Sequence, residues 1–109
     1  MEPLNRVTAA TIDVLRVLVD SGEPCWGLQV IKSSDRPAGS VYPILERLES
    51  FGWVRSSWET DDSRPGPRRR YYELTEGGAT AAADTVRDFG MRDARQKAPR
   101  FVTPMAVNP

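Results

Sequence analysis

Residues 37–51 have the sequence PAGSVYPILERLESF, the most regular segment of the chain. Its apolar side chains recur at three- and four-residue spacing and form one helical face, made of Val41, Ile44, Leu45, Leu48 and Phe51. Gly52 follows as a signal that ends a helix. Pro43 removes one backbone donor, so the helix begins either at Ser40, with Pro43 in its first turn, or at Pro37, with a bend near Pro43. The earlier start, with an irregular first turn, is favoured.

Two further helices are predicted upstream of this segment. Residues 8–20 (TAATIDVLRVLVD) carry an apolar stripe that is wide enough to serve both a core and a second subunit. Thr8 can cap the start of this helix, and Gly22 supplies its stop signal. Residues 25–34 (CWGLQVIKSS) predict a short helix in which Gly27 permits the close approach of another element.

The hydrophobic period changes to two on the downstream side. Residues 53–59 (WVRSSWE) and 68–75 (RRRYYELT) predict two strands, and the polar segment 60–67 (TDDSRPGP) predicts the loop that joins them into a β-hairpin. The large apolar side chains of this hairpin are expected in the core or in an interface: Trp53, Trp58, Tyr72 and Leu74.

The C-terminal part of the chain is predicted to hold one more helix. Residues 75–97 are rich in alanine, and Thr75 can cap the helix start. Residues 98–109 contain three prolines and no periodicity, so they are expected to form a poorly ordered tail. We therefore expect one domain over residues 1–97 that ends in a helix at about 76–97.

Composition excludes most catalytic chemistry. The 109 residues include no histidine and a single cysteine, Cys25, which disfavours histidine-based triads, internal disulfides and the usual zinc sites. We expect no enzyme, no cofactor and no metal. The apolar stretches are too short to span a bilayer, and residues 1–6 do not resemble a signal peptide. A cytoplasmic protein without a membrane partner is expected.

Positive charge is concentrated in one segment although the net charge is +0. Residues 63–72 contain no acidic side chain and hold four arginines: Arg64, Arg68, Arg69 and Arg70. Locally concentrated positive charge suits nucleic-acid binding. Arg70 is closer to the sheet than the others and is expected to pair with Glu59.

The order of the elements predicts a mainly α fold with a small β-hairpin, a winged helix-turn-helix domain followed by a C-terminal helix. In such a domain the third helix enters the major groove of DNA and the hairpin forms the wing. Residues 37–51 would be the recognition helix, and residues 53–75 would be the wing.

Two separate motifs resemble the signatures of the PadR family of bacterial transcription regulators. Residues 40–49 (SVYPILERLE), followed by residues 52–54 (GWV), are similar to the family's recognition-helix signature, and residues 66–78 (GPRRRYYELTEGG) are similar to its strand-to-helix junction. Trp26 stands where the family usually has tyrosine. The resemblance implies a homodimeric repressor with a C-terminal dimerisation helix, at about 76–97, that packs on the first helix of the partner. It also implies that the two recognition helices meet a palindromic operator.

These considerations give explicit candidate residues and partners. The DNA-binding candidates are Gln29, Lys32, Gly39, Ser40, Tyr42, Pro43, Arg47, Arg64, Arg68 and Arg69. The dimerisation candidates are Ile12, Leu15, Val19, Val86 and Phe89. The expected partners are double-stranded DNA and a second copy of the chain. The resemblance also implies, as a candidate ligand, a small hydrophobic effector at the dimer interface.

An alternative from another class is a winged-helix module that binds a protein or builds a scaffold without specific DNA binding, since fold alone does not fix function. The zero net charge and the acidic Glu46 and Glu49 on the third helix fit this alternative. The arginines of the hairpin argue against it. Replacing Arg64, Arg68 and Arg69 by alanine separates the two hypotheses, because only a repressor would lose DNA affinity while keeping its dimer.

Overall fold

The computed structural model describes residues 1–60 and 63–97, so the tail predicted at 98–109 lies outside the described residues. The described part contains four helices and three strands, in the order α1 (Ala9–Ser21), β1 (Cys25–Trp26), α2 (Gly27–Ser34), α3 (Ala38–Ser50), β2 (Val54–Trp58), β3 (Arg70–Leu74) and α4 (Glu76–Lys97). The predicted fold class, mainly helical with a small antiparallel sheet, is confirmed.

Helix α1 begins and ends where its local signals predict. The hydroxyl of Thr8 accepts a hydrogen bond from the backbone N–H of Thr11 at 3.2 Å, which satisfies one donor of the first turn. Gly22 follows the helix with a φ of 66°, a left-handed conformation that glycine adopts without a steric penalty.

Helix α3 has the earlier of the two predicted starts. Pro37 caps the helix, and its carbonyl oxygen accepts from the N–H groups of both Ser40 (2.9 Å) and Val41 (3.0 Å). The first turn therefore mixes three- and four-residue hydrogen bonds, as expected of an irregular turn. Pro43 lies within the helix without ending it.

The prediction for residues 25–34 was wrong at its start. Cys25 and Trp26 form the short strand β1, which pairs antiparallel with Tyr72 and Tyr71 of β3. The sheet is thus three-stranded, in the order β1-β3-β2, and is not a simple hairpin. Extended backbone at Trp26 then serves as the N-cap of the shorter helix α2. This pairing depends on a strand almost 50 residues away along the chain, which local periodicity cannot indicate.

The core lies between the helices and one face of the sheet. Its fully buried members come from α1, α2 and α3 and include Leu15, Val30, Val41, Leu45 and Leu48. The sheet adds Val54 and Tyr72, and α4 adds Ala82. Burial of these aliphatic side chains is the main favourable contribution to folding.

Trp53, at the start of the wing, contacts both the N-terminal segment and the start of α4. It is buried as predicted, and its indole Nε1 donates to the carbonyl oxygen of Glu2 at 2.6 Å. A Cβ atom at Gly78 would overlap the carbonyl oxygen of Trp53, so α4 begins in direct backbone contact with the start of the wing. Thr75 caps α4 as predicted, accepting from the N–H of Gly78 at 3.0 Å.

Trp58 does not lie in the core, so of its two predicted positions, core or interface, the interface stays a prediction. It is the last residue of β2, and 56% of it is exposed. The alternation of the strand assigns Trp58 to the same face as Val54, but the core ends before this end of the strand is reached. The helices and the sheet together have the arrangement of a winged helix-turn-helix domain.

Candidate nucleic-acid interface

The outward face of α3 carries five of the predicted DNA-binding residues. The opposite face is buried in the core through Val41, Leu45 and Leu48. Exposed on the outward side are Gly39, Tyr42, Pro43 and Arg47, and Ser40 is half-buried beside them. The first turn of this face is made of small side chains, so another molecule can approach the backbone closely there.

Helix α2 contributes two exposed polar side chains with different surroundings. Lys32 lies in the last turn and is exposed. The side-chain oxygen of Gln29 accepts a hydrogen bond from the backbone N–H of Trp26 at 3.4 Å, so this side chain already helps to cap its own helix. The structure thus gives Gln29 a local role in addition to the predicted contact.

Arg64 organises the wing loop. Its Nε donates to both carboxylate oxygens of Glu59 at 3.1 Å, while Nη1 donates to the carbonyl oxygen of Pro65 and Nη2 to that of Pro67. Only 27% of the side chain is exposed. The expectation that Glu59 pairs with Arg70 was therefore wrong, because Arg64 occupies this carboxylate.

The other two predicted wing arginines differ in exposure. The guanidinium of Arg69 lies 3.8 Å from the centre of the Trp26 ring, a close cation–π contact, and its Nε is buried without a hydrogen-bond partner among the described residues. Arg68 is exposed. Of the predicted wing arginines, Arg68 is therefore the one whose position suits contact with a second molecule.

Arg70 connects the wing to the end of α3. Its Nε and Nη2 donate to the hydroxyl of Ser56 at 3.1 and 2.8 Å, and Nη2 lies 3.5 Å from the carboxylate of Glu49. The Ser56 hydroxyl in turn donates to Glu49 at 2.6 Å. This network joins both strands of the wing to the C-terminal end of α3. Sequence analysis missed it, although strand alternation places Ser56 and Trp58 on one face.

A cleft of about 310 Å³ opens between α3, the start of α2 and the wing, and we call it the arginine–aromatic cleft. It is lined by Trp26, Gly27, Tyr42, Trp58, Arg68, Arg70 and Tyr72. A Cβ at Gly27 would lie 2.9 Å from the ring and the hydroxyl of Tyr42, so the predicted close approach at Gly27 is confirmed. Burial raises the pKa of the Tyr72 hydroxyl above its usual value, and the charge of Arg70 opposes this shift.

Comparison with known proteins decides the family. The sequence model of the transcriptional regulator PadR-like family matches residues 14–84, which run from α1 through the recognition helix and the wing into α4. The chain belongs to this family. Its members are DNA-binding transcription regulators, and the predicted family resemblance is confirmed.

Solved structures agree with this assignment. A PadR family transcription regulator from hypervirulent Clostridium difficile is 26% identical, with a TM-score of 0.61 over 78% of this chain and 95% of that one. The PadR-like regulator from Bacillus cereus is 19% identical, with a TM-score of 0.61 over 91% and 92% of the two chains, and shares the fold. Bordetella bronchiseptica BpsR, whose DNA binding is regulated by 6-hydroxynicotinic acid, shares the fold at 22% identity, with a TM-score of 0.68 over 97% and 77%. Among curated proteins no significant match was found.

In this PadR-like regulator the predicted dimerisation residues fall into two groups. Ile12 and Leu15 are 1% and 0% exposed within the single chain, so both pack in its core, and their part in a subunit contact stays a prediction. Their apolar periodicity is explained by the chain's own packing. Val19, Val86 and Phe89 are half-buried and remain accessible at the surface.

The described part of the PadR-like regulator holds neither a candidate metal site nor a candidate membrane-spanning helix. Residues 1–60 and 63–97 contain no group of three or more acidic, histidine or cysteine side chains placed to hold a metal ion. Over the same residues, no helix is both long and apolar enough to cross a membrane.

Proposed function

We propose that this PadR-like regulator is a cytoplasmic, dimeric repressor that binds a palindromic operator. The observation that carries the proposal is the outward face of α3, whose first turn has small side chains and which is flanked in the fold by α2 and the wing, each with an exposed basic residue. Those residues are Lys32 on α2 and Arg68 on the wing. A helix with this exposed face fits the major groove, while basic groups on both sides suit the phosphates that flank it.

The roles within α3 follow from side-chain size and chemistry. Gly39 and Ser40 allow the first turn to approach base edges, where the serine hydroxyl can donate or accept. Tyr42 and Arg47 present donors suited to phosphate oxygens. Pro43 adds an exposed apolar surface between them. In this proposal Gln29, Arg64 and Arg69 support the interface through α2 and the wing loop.

The dimer is proposed to form through the later part of α4. The face of α4 that packs on the core through Ala82 and Val86 continues toward Phe89, which lies one turn further along and is half-buried. An apolar helix face that extends beyond its own core is suited to burial against a second copy. Val19 of α1 is proposed to contribute at the edge of this contact.

A small hydrophobic effector stays a prediction. The cavity best placed for it is one of about 190 Å³ that Leu18, Val19, Leu74 and Ala79 line in part. Because Val19 is also a proposed dimer residue, a ligand there would be sensed at the subunit contact. Regulation of BpsR by 6-hydroxynicotinic acid is a parallel within the same fold.

The test of the proposed function is a selection of genomic DNA fragments on the purified protein at two salt concentrations. We expect enrichment of one inverted repeat and weaker binding at the higher salt, because each neutralised phosphate releases counterions. Enrichment of no sequence by a folded dimer would contradict the repressor proposal and favour a winged-helix module with a protein partner.

A further inference from the structure

Trp58 is a large aromatic side chain that the fold leaves outside its core. More than half of it is exposed, at the end of β2 and at the rim of the arginine–aromatic cleft. The guanidinium of Arg70 lies 5.2 Å from the centre of its ring. Exposed tryptophan loses the free energy that its burial would give, and such residues commonly mark contact surfaces.

The cleft beside Trp58 is suited to an anion with an apolar part. Among the described residues its lining contains two guanidinium groups, of Arg68 and Arg70, and no carboxylate; the acidic partner of Arg70, Glu49, lies outside the lining at 3.5 Å from Nη2. The hydroxyl of Tyr42 adds a neutral donor from α3, where 40% of this residue is exposed. A phosphate can accept from these groups, while the ring of Trp58 offers a flat apolar wall.

The position of the cleft indicates which molecule carries that anion. Its lining residues come from the start of α2, the outward side of α3 and the wing, the three elements proposed to face DNA. A duplex that lies against α3 would carry one of its backbones across this cleft. The DNA backbone also supplies both required parts, a phosphate and an adjoining deoxyribose.

We propose that the arginine–aromatic cleft holds one phosphodiester of the operator and that Trp58 packs against the neighbouring deoxyribose. Arg70 and the Tyr42 hydroxyl hold the phosphate, and Arg68 adds charge at the rim. The proposal rests on the proposed function, since it requires DNA along α3. It assigns an apolar DNA contact to the wing, where the sequence indicated only charge.

The proposal has a thermodynamic signature that separates Trp58 from the arginines. A contact to a sugar carries no sequence information, so losing it lowers the affinity for every duplex by the same factor. Trp58 is neutral and releases no counterions, so its removal leaves the slope of log affinity against log salt unchanged. Removing a phosphate-binding arginine makes this negative slope less steep by about 0.9.

The experiment uses two duplexes of about 30 base pairs, long enough for two half-sites, one taken from a selection on the protein and the other a scrambled sequence. The full chain is compared with Trp58→Ala, Trp58→Phe and the control Ser57→Ala, which changes an exposed residue on the opposite face of the same strand. We expect Trp58→Ala to bind both duplexes on the order of ten-fold more weakly, with the salt slope unchanged. Trp58→Phe should keep most of the affinity, and Ser57→Ala should behave as wild type.

Each other outcome has a defined meaning. Equal affinities of Trp58→Ala and wild type overturn the proposal, and a loss confined to the selected duplex would show that Trp58 reads bases. Acrylamide quenching of Trp58 is taken as the difference between wild type and Trp58→Phe. If duplex DNA leaves this difference unchanged while benzoate reduces it, the cleft binds a free aromatic anion instead. If wild type binds both duplexes equally, the operator proposal fails. The affinities of Trp58→Ala and wild type then still test whether the cleft binds the DNA backbone. Failure to bind either duplex overturns both.

Discussion

Gly78 shows how one missing side chain determines the junction between the wing and α4. The N–H of Gly78 bonds to the Thr75 hydroxyl, and its Cα lies against the backbone of Trp53. No flexible group can move aside there, because the neighbouring atoms are backbone. At Gly27, by contrast, the neighbour is the tip of Tyr42, an exposed side chain that can shift.

We expect Gly78→Ala to lower the free energy of unfolding by about 3 kcal/mol, as in cases of strong overpacking. The matched control is Gly39→Ala in α3, where no atom lies within 4 Å of the added Cβ. This variant should be neutral or up to about 1 kcal/mol more stable, since alanine favours helix. Urea unfolding of both variants tests the difference, and equal stability of the two would contradict the described contact.

Tyr72 predicts a specific loss of stability at alkaline pH. Burial raises the pKa of this hydroxyl in the folded state above 10, so the unfolded chain loses the proton first as the pH rises. The contribution of the neutral Tyr72 hydroxyl to the free energy of unfolding is complete below pH 10. It is lost as the pH rises through the folded pKa. Tyr72→Phe should therefore show a smaller decline between pH 9.5 and 11, in steps of about half a unit, in thermal unfolding. An identical decline in both proteins would contradict this role.

At the scale of elements, the described part of the wing loop is held by a fork of hydrogen bonds, that is, several bonds that diverge from one guanidinium group. Arg64 reaches Glu59 and two carbonyl oxygens of the loop simultaneously, a geometry that requires a planar guanidinium. Arg68, close by in sequence, projects at the surface. The same residue type thus has two different surroundings within five positions.

This difference predicts opposite responses to a conservative change. Arg64→Lys keeps the charge but cannot make the fork, so amide hydrogen exchange in the loop around residues 63–67 should accelerate. Arg68→Lys keeps the charge and should reduce duplex binding little, whereas Arg68→Ala should make the slope of log affinity against log salt less steep by about 0.9. Unchanged exchange in Arg64→Lys would show that the loop does not depend on Arg64.

Elements with local signals were predictable, and elements built by distant pairing were not. The caps at Thr8 and Thr75, the stop at Gly22 and the irregular start of α3 are encoded within a few residues of where they act. Strand β1 exists only because β3 lies beside it. The exposure of Trp58 and the pairing of Arg64 with Glu59 likewise depend on where the core ends and on how the loop folds.

The same distinction applies to the candidate site. The outward face of α3 could be predicted because helical periodicity divides buried from exposed positions, and the structure exposes Tyr42, Pro43 and Arg47 accordingly. Ile12 was assigned to a subunit contact because an apolar stripe does not distinguish the chain's own core from a partner. The arginine–aromatic cleft joins three elements and has no sequence signal.

At the scale of the whole molecule, the predicted dimer depends on one face of α4. Phe89→Asp places a charge on the face that continues from Val86, so we expect the assembly to dissociate to monomers in analytical ultracentrifugation. Thr80→Asp adds the same charge on the opposite, exposed side of α4 and should leave the assembly unchanged. A dimer that persists in Phe89→Asp would require a different interface.

Zero net charge is compatible with DNA binding because the basic residues of the proposed interface are placed together. Lys32 on α2, Arg47 on α3 and Arg68 in the wing loop are all exposed, and these are the three parts of the chain proposed to face DNA. Local potential steers association with DNA more than net charge does. The family assignment and the geometry of α3 therefore lead to the same surface.

The most direct test of the central claim is an equilibrium titration of the selected inverted repeat against a scrambled duplex of equal length at one fixed salt concentration. The account predicts at least about a thousand-fold preference for the inverted repeat and a complex containing two protomers per duplex. Equal affinity for both duplexes, from a protein that is folded and dimeric, would contradict it.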